Sequence, residues 1–95
     1  MPPHHRAFTK ATAFRLNAPQ AHEVVLVIRS IKGDSSATRR MNKGVDGVWH
    51  VTLELAQGRH LYRFLVDQLP LLDPASRGTV HDDHHGAFSM RVVGH

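Results

Sequence analysis

Apolar residues in this chain alternate with polar ones at a period of two, and no stretch repeats convincingly at the helical period. Phe14 and Leu16 alternate with Ala13, Arg15 and Asn17, which predicts a strand over residues 11–17 with Phe14 and Leu16 facing inward. Ala18-Pro19-Gln20-Ala21 reads as a turn. Glu23 to Arg29 is apolar and β-branched on both faces, the composition of a strand covered on both sides. Ser30 to Thr38 carries Gly33-Asp34-Ser35-Ser36 and is predicted as a loop. Arg39 to Lys43 follows as a short strand with Met41 inward, ended by Gly44. Trp49, Val51, Leu53 and Leu55 then share one face of a strand whose other face carries His50, Thr52 and Glu54. Ala56-Gln57-Gly58 reads as a hairpin loop, with Gly58 free to take positive φ. On the return strand His60, Tyr62, Phe64 and Val66 point one way, and Leu61, Arg63, Leu65 and Asp67 the other.

Beyond that strand, Pro70 and Pro74 interrupt regular pairing around the patch Leu69-Pro70-Leu71-Leu72. Thr79 to Gly86 is predicted as a His/Asp-rich loop and Ala87 to Val93 as the last strand. About seven short strands at turn-punctuated spacing imply an all-β sandwich of antiparallel strands. The expected core is Phe14, Leu16, Val24, Leu26, Trp49, Val51, Leu53, Tyr62, Phe64, Val66 and Val92. Residues 1–10, rich in Pro and His without periodicity, are expected to be a flexible N-terminal arm, and residues 11–95 one domain.

Composition narrows the function classes. The chain has 95 residues, 12 Lys and Arg against 8 Asp and Glu, and a net charge of +4 with neutral histidines. The basic residues are scattered singly apart from Arg39-Arg40, so no nucleic-acid footprint forms. No apolar run approaches the ~20 residues of a membrane helix. Met1-Pro2-Pro3-His4-His5-Arg6 leads into no apolar h-region, and the expected location is cytoplasmic. With no cysteine, neither disulfides nor thiolate metal sites are open to the chain.

The order of short motifs carries more information than any one of them. Ala18-Pro19, Val24 to Val27, Met41, Gly47-Val48-Trp49, Leu53-Glu54-Leu55, Gly58, Tyr62-Arg63-Phe64, Val66-Asp67, Asp73-Pro74 and Gly86 follow one another along nearly the whole domain. In that order and spacing the chain resembles carbohydrate-binding module family forty-eight. That family includes the glycogen-binding domain of the AMP-activated protein kinase beta subunit and the N-terminal early-set domains of isoamylases and glycogen-branching enzymes. The resemblance implies an immunoglobulin-like (early-set) β-sandwich, no catalytic activity, no cofactor, and an α-glucan oligosaccharide or glycogen as partner.

It also implies where sugar would sit, and there the chain departs from the pattern. Glucan-binding members stack glucose on two tryptophans, one after the second strand and one between the Val-Asp and Asp-Pro marks. Here the first region reads Arg29-Ser30-Ile31-Lys32-Gly33-Asp34, and the second reads Gln68-Leu69-Pro70-Leu71-Leu72, with Pro70 at about the tryptophan's place. Gln68 stands where the family has glycine, and the family's closing-strand asparagine falls near Phe88 or Ser89. Arg63 matches the basic position that hydrogen-bonds sugar hydroxyls. The carbohydrate-binding candidates are therefore Arg63, Leu69, Pro70, Phe88 and Ser89. If each stacking platform contributes about 1–3 kcal/mol, two missing rings weaken binding by tens- to about ten-thousand-fold.

Three other readings deserve weight. His81-Asp82-Asp83-His84-His85 is the densest group of ligand-type side chains, so His81, His84 and His85 are the candidates for a metal, although no tight spacing signature accompanies them. No nucleophile, oriented base and oxyanion donor occur together, which argues against an enzyme. Finally, Leu69 to Leu72 in the place of a sugar platform suits a protein partner, provided that the leucines are exposed.

Overall fold

Alternation sorts the inward side chains onto two antiparallel sheets that face one another. The computed structural model describes residues 9–30, 36–76 and 78–94. Its strands are β1 (Thr9–Asn17), β2 (Val24–Ser30), β3 (Ser36–Arg40), β4 (Asn42–Lys43), β5 (Val48–Ala56), β6 (Gly58–Val66), β7 (Leu69–Leu71), β8 (Thr79–Asp82) and β9 (Gly86–Val93). One sheet has the order β1-β5-β4; the other runs β3-β2-β6-β9-β8, with β7 paired to β6. The arrangement is an immunoglobulin-like early-set sandwich. The expected arm is described only from Thr9 onward, where β1 already begins.

Phe14 and Leu16, Val24, Leu26 and Ile28, Met41, Trp49, Tyr62 and Phe64 form the buried cluster between the sheets. Val51, Leu53 and Val66 are half-buried and pack on its edge. Three aromatic rings run through the centre, Phe14 against Tyr62 at 4.9 Å and Tyr62 against Phe64 at 5.9 Å, both edge-on. This is the arrangement ring quadrupoles favour. The polar tips are satisfied: Trp49 Nε1 donates to the Ala18 carbonyl at 2.8 Å, and the Tyr62 hydroxyl donates to Asp73 Oδ2 at 2.6 Å. Burial, and then the Asp73 carboxylate, raises the Tyr62 pKa well above the ordinary phenol range. Arg91 closes the side of the sandwich by donating to the Ala13 carbonyl at 2.9 Å while lying over the Phe14 ring.

Several expectations need correction. Strands β5 and β6 are not a hairpin: β5 pairs with β1 and β4, β6 with β2, β7 and β9, so Gln57 is a crossover between the sheets. Both strands bury one face, and period two does not say whether neighbours in sequence pair or stack. The predicted strand over residues 39–43 is two strands in different sheets, β3 on β2 and β4 on β5, divided at buried Met41. Strand β3 starts at Ser36, inside the expected loop. Pro70 sits within β7, whose only partner among the described residues is β6; at a sheet edge a missing N–H costs little. The His/Asp loop is half strand, with β8 pairing to β9 around Asp83-His84-His85. Val92 is 65% exposed and Val93 takes its place in the core, because β9 runs with Ser89 and Val93 inward and Phe88 outward.

Two motif positions have a local cause. Gly47 has φ +82°, and a Cβ there would stand 2.8 Å from Cβ of Pro19, so the glycine before Trp49 lets the Ala18-Pro19 turn close down on it. In the β6–β7 turn Asp67 and Gln68 have φ 49° and 74°. The glycine that Gln68 replaces is the residue such a conformation favours. Gln68→Gly is therefore expected to stabilise the domain by about 0.5–1 kcal/mol, which denaturant unfolding would show as a higher midpoint at unchanged slope.

Candidate functional site

Inward and outward residues alternate strictly on β2, β6 and β9, so the register that buries the core also builds the opposite surface. Val27 pairs with Arg63, Arg29 with Leu61, and Leu61 with Met90. Phe88 points to that same outer side. Val27, Arg29, Ser36, Arg63, His85 and Phe88 line a cleft of about 340 Å³ there. This lies toward the lower end of the roughly 300–1,000 Å³ typical of small-molecule clefts.

Phe88 faces outward yet is only 2% exposed. The Arg63 guanidinium carbon lies 4.5 Å from the ring centroid and that of Arg29 lies 5.7 Å away, so two cations roof the ring. Arg63 is fixed by Nη1, which donates to the carbonyls of His85 at 2.8 Å and Ala87 at 3.4 Å. Gly86, with φ +91°, makes room for it, since a Cβ at that position would stand 3.2 Å from Nη1. Arg63 Nε is buried without a hydrogen-bond partner. Arg29 is held differently: its Nη1 lies 3.1 Å from Asp82 Oδ2 and 3.1 Å from His85 Nδ1, while Asp82 and His85 are 3.0 Å apart.

Asp82 is charged at any ordinary pH. The His84 backbone N–H, 2.8 Å from its carboxylate, and then the His85 side chain lower its pKa to about 2. Because the folded value lies below the unfolded one, the attachment of Arg29 to Asp82 is complete above about pH 4 and is lost as pH falls toward 2. A carboxyl chemical-shift titration should place the Asp82 midpoint at about 2; a midpoint near 4 would contradict the geometry.

The sequence candidates divide between the two sides of the larger sheet. Arg63 and Phe88 meet in the cleft. Pro70 pairs with Leu65 and so shares the Arg63 side, exposed but outside the cleft wall. Leu69 and Leu71 pair with Val66 and Phe64, which places them on the opposite side from Arg63. Ser89 points inward, is 1% exposed, and accepts the Asp73 backbone N–H at 2.9 Å, so its hydroxyl serves the core. His81 and His84 stay exposed and only His85 reaches the cleft. Among the described residues no three His, Asp or Glu side chains converge as metal ligands. Arg29 and Ser36 were missed as site residues. Arg29 could have been found from period two alone, once β2 and β6 were paired.

Other proteins share this architecture. The family model of carbohydrate-binding module 48 (isoamylase N-terminal domain) matches residues 3–75. Among solved structures, the pullulanase from Anoxybacillus sp. LM18-11 complexed with maltotetraose superposes with a TM-score of 0.74 at 20% identity, covering 95% of this chain and 13% of that one. Pullulanase type I from Bacillus subtilis str. 168, complexed with maltose, gives 0.68 at 17% identity over 95% of this chain and 14% of its own. The pullulanase from Bacillus acidopullulyticus gives 0.64 at 24% identity over 93% and 11%. The chain thus spans about an eighth of the length of these enzymes, and at such identities the likeness speaks for the fold. A search of curated protein sequences returns no match. With the family model matching most of its length, its motifs in order and its sandwich in place, the chain belongs to carbohydrate-binding module family 48.

Proposed function

We propose that the chain is a non-catalytic α-glucan-binding module that holds oligosaccharide weakly on the Arg63 side of its six-stranded sheet. The observation that carries this reading is the position of Arg63, whose guanidinium forms part of a cleft wall at the one basic position the family uses for sugar hydroxyls. Weak affinity follows from the rings. Trp49, the single tryptophan, is 7% exposed in the core, and Phe88 lies beneath two guanidiniums. No open indole platform remains for a glucose ring. Mobility retardation in gels containing glycogen tests the proposal. The wild-type chain should be slowed slightly and Arg63→Ala not at all, whereas equal mobility of the two with glycogen and without it would count against it.

A second reading is favoured by one observation: Leu69 and Leu71 are 70% and 43% exposed on the sheet side opposite Arg63. These leucines suit a protein contact that leaves the cleft open. A Leu69→Asp/Leu71→Asp variant should then keep its retardation by glycogen and lose any protein partner.

A further inference from the structure

The cleft is built more for an anion than for a neutral sugar. Resting on the glucan reading above, we infer that it takes the phosphate monoester of a phosphorylated glucose unit. Charge comes first. The cleft wall contributes two guanidiniums, and the carboxylate that the described residues pair beside it, Asp82, is engaged by Arg29 and His85. No carboxylate among the described residues pairs with Arg63, so Arg29, Arg63 and Asp82 together leave one uncompensated positive charge.

The geometry of Arg63 says what kind of group that charge suits. Both of its hydrogen bonds to described residues use Nη1, toward the His85 and Ala87 carbonyls. The opposite edge, formed by Nε–H and Nη2–H, donates to no described residue, and Nε is buried as well. Two parallel N–H groups on one edge match two oxygens of a single oxyanion, a grip that one hydroxyl cannot fill. Ser36 and His85 line the same cleft and carry further polar groups suited to a sugar.

The ring geometry agrees. A neutral pyranose is held chiefly by stacking on an open aromatic face, and Phe88 offers none while Arg63 lies 4.5 Å above it. A guanidinium stacked on a ring carries its N–H groups in its own plane rather than on the ring face, and Nε here is enclosed without a partner. The unit of recognition is then charge and fork rather than face, and a phosphate monoester carries about −1.5 to −2 charges near neutral pH.

Side-chain and backbone NMR of the isotope-labelled 95-residue chain tests this with four ligands: glucose, glucose 6-phosphate, inorganic phosphate and maltoheptaose. The inference requires glucose 6-phosphate to saturate at least about tenfold more tightly than glucose, moving the Arg63 Nε–H signal, with affinity falling as salt is raised. Arg63→Lys keeps the charge and loses the fork, and should forfeit most of that preference in a domain whose spectrum stays dispersed. Should the Arg63 variant not fold, Arg29→Gln removes the second cation and must also weaken the phosphate ligand. Binding of maltoheptaose with no preference for glucose 6-phosphate over glucose would overturn this inference and leave the glucan reading standing. Inorganic phosphate binding as tightly as glucose 6-phosphate would overturn it too, reducing the cleft to a plain anion site. Silence from all four ligands would sink both readings together.

Discussion

Phe64→Ala is expected to cost the domain about 3–5 kcal/mol, the range for deleting a large buried ring. Phe64 is fully buried, lies opposite Leu26 and Leu71 in its sheet, and packs edge-on to Tyr62 at 5.9 Å. Strands β2 and β7 close on either side of it, so the cavity has little freedom to collapse. Domains of this size have only about 5–14 kcal/mol of stability, so the loss takes about a fifth of the whole or more. Thermal unfolding followed by near-ultraviolet circular dichroism should show Tm falling by roughly 12–40 °C. A fall under about 5 °C would mean that Phe64 does not sit at the centre of the core.

Asp67→Ala is expected to cost about 1.5–3 kcal/mol although Asp67 is exposed. Its Oδ1 accepts the backbone N–H groups of His22 and Glu23 at 2.9 and 2.8 Å, and its own N–H donates to the Glu23 carbonyl at 2.9 Å. One side chain thereby ties the β6–β7 turn to the segment entering β2. Two charge-assisted bonds would be worth more in a buried site, and solvent screening reduces them here. Alanine at φ 49° adds the strain of a left-handed backbone, which aspartate and asparagine tolerate better. Asp67→Asn keeps one acceptor and the conformational tolerance, so it should lose less than about 1 kcal/mol. Urea unfolding of both variants decides the matter; equal losses would show that charge alone, and neither the strain nor the paired acceptance, holds the turn.

These two residues help to explain why the family was legible in the sequence and the site only in part. The marks that identify the family are mostly structural here. Asp67 ties a turn, Asp73 receives the Tyr62 hydroxyl and turns back on the Ala75 N–H, and Gly47 lets a proline approach. Each motif marks a backbone conformation or a buried polar group that tolerates few residue types, so each survives as a short readable pattern. The inward residues of β1, β2 and β6 were equally readable, since one apolar face against water leaves a strict alternation.

What remained hidden depends on pairing across the chain. Nothing local shows that β5 and β6 belong to different sheets, or that Arg29 and Arg63 lie over one ring. Val92 and Val93 are interchangeable by composition, and the register of β9 against β6 decides between them. Leu69 and Pro70 are neighbours on an edge strand, so they point to opposite sides of the sheet; treating the leucine patch as one surface with Arg63 ignored that alternation. Phe88, a carbohydrate-binding candidate by its place in the closing strand, is an outward ring covered by a guanidinium and only 2% exposed.

The central claim is that a sugar-binding face survives around Arg63 without tryptophan platforms. A chemical-shift titration of the labelled domain with maltoheptaose, in chelator-containing buffer, tests it most directly. The account predicts saturable shifts confined to Arg29, Ser36, Arg63, His85 and Phe88, with Leu69 and Leu71 on the far side unmoved. Shifts centred on Leu69 and Leu71, or none at millimolar sugar, would contradict it.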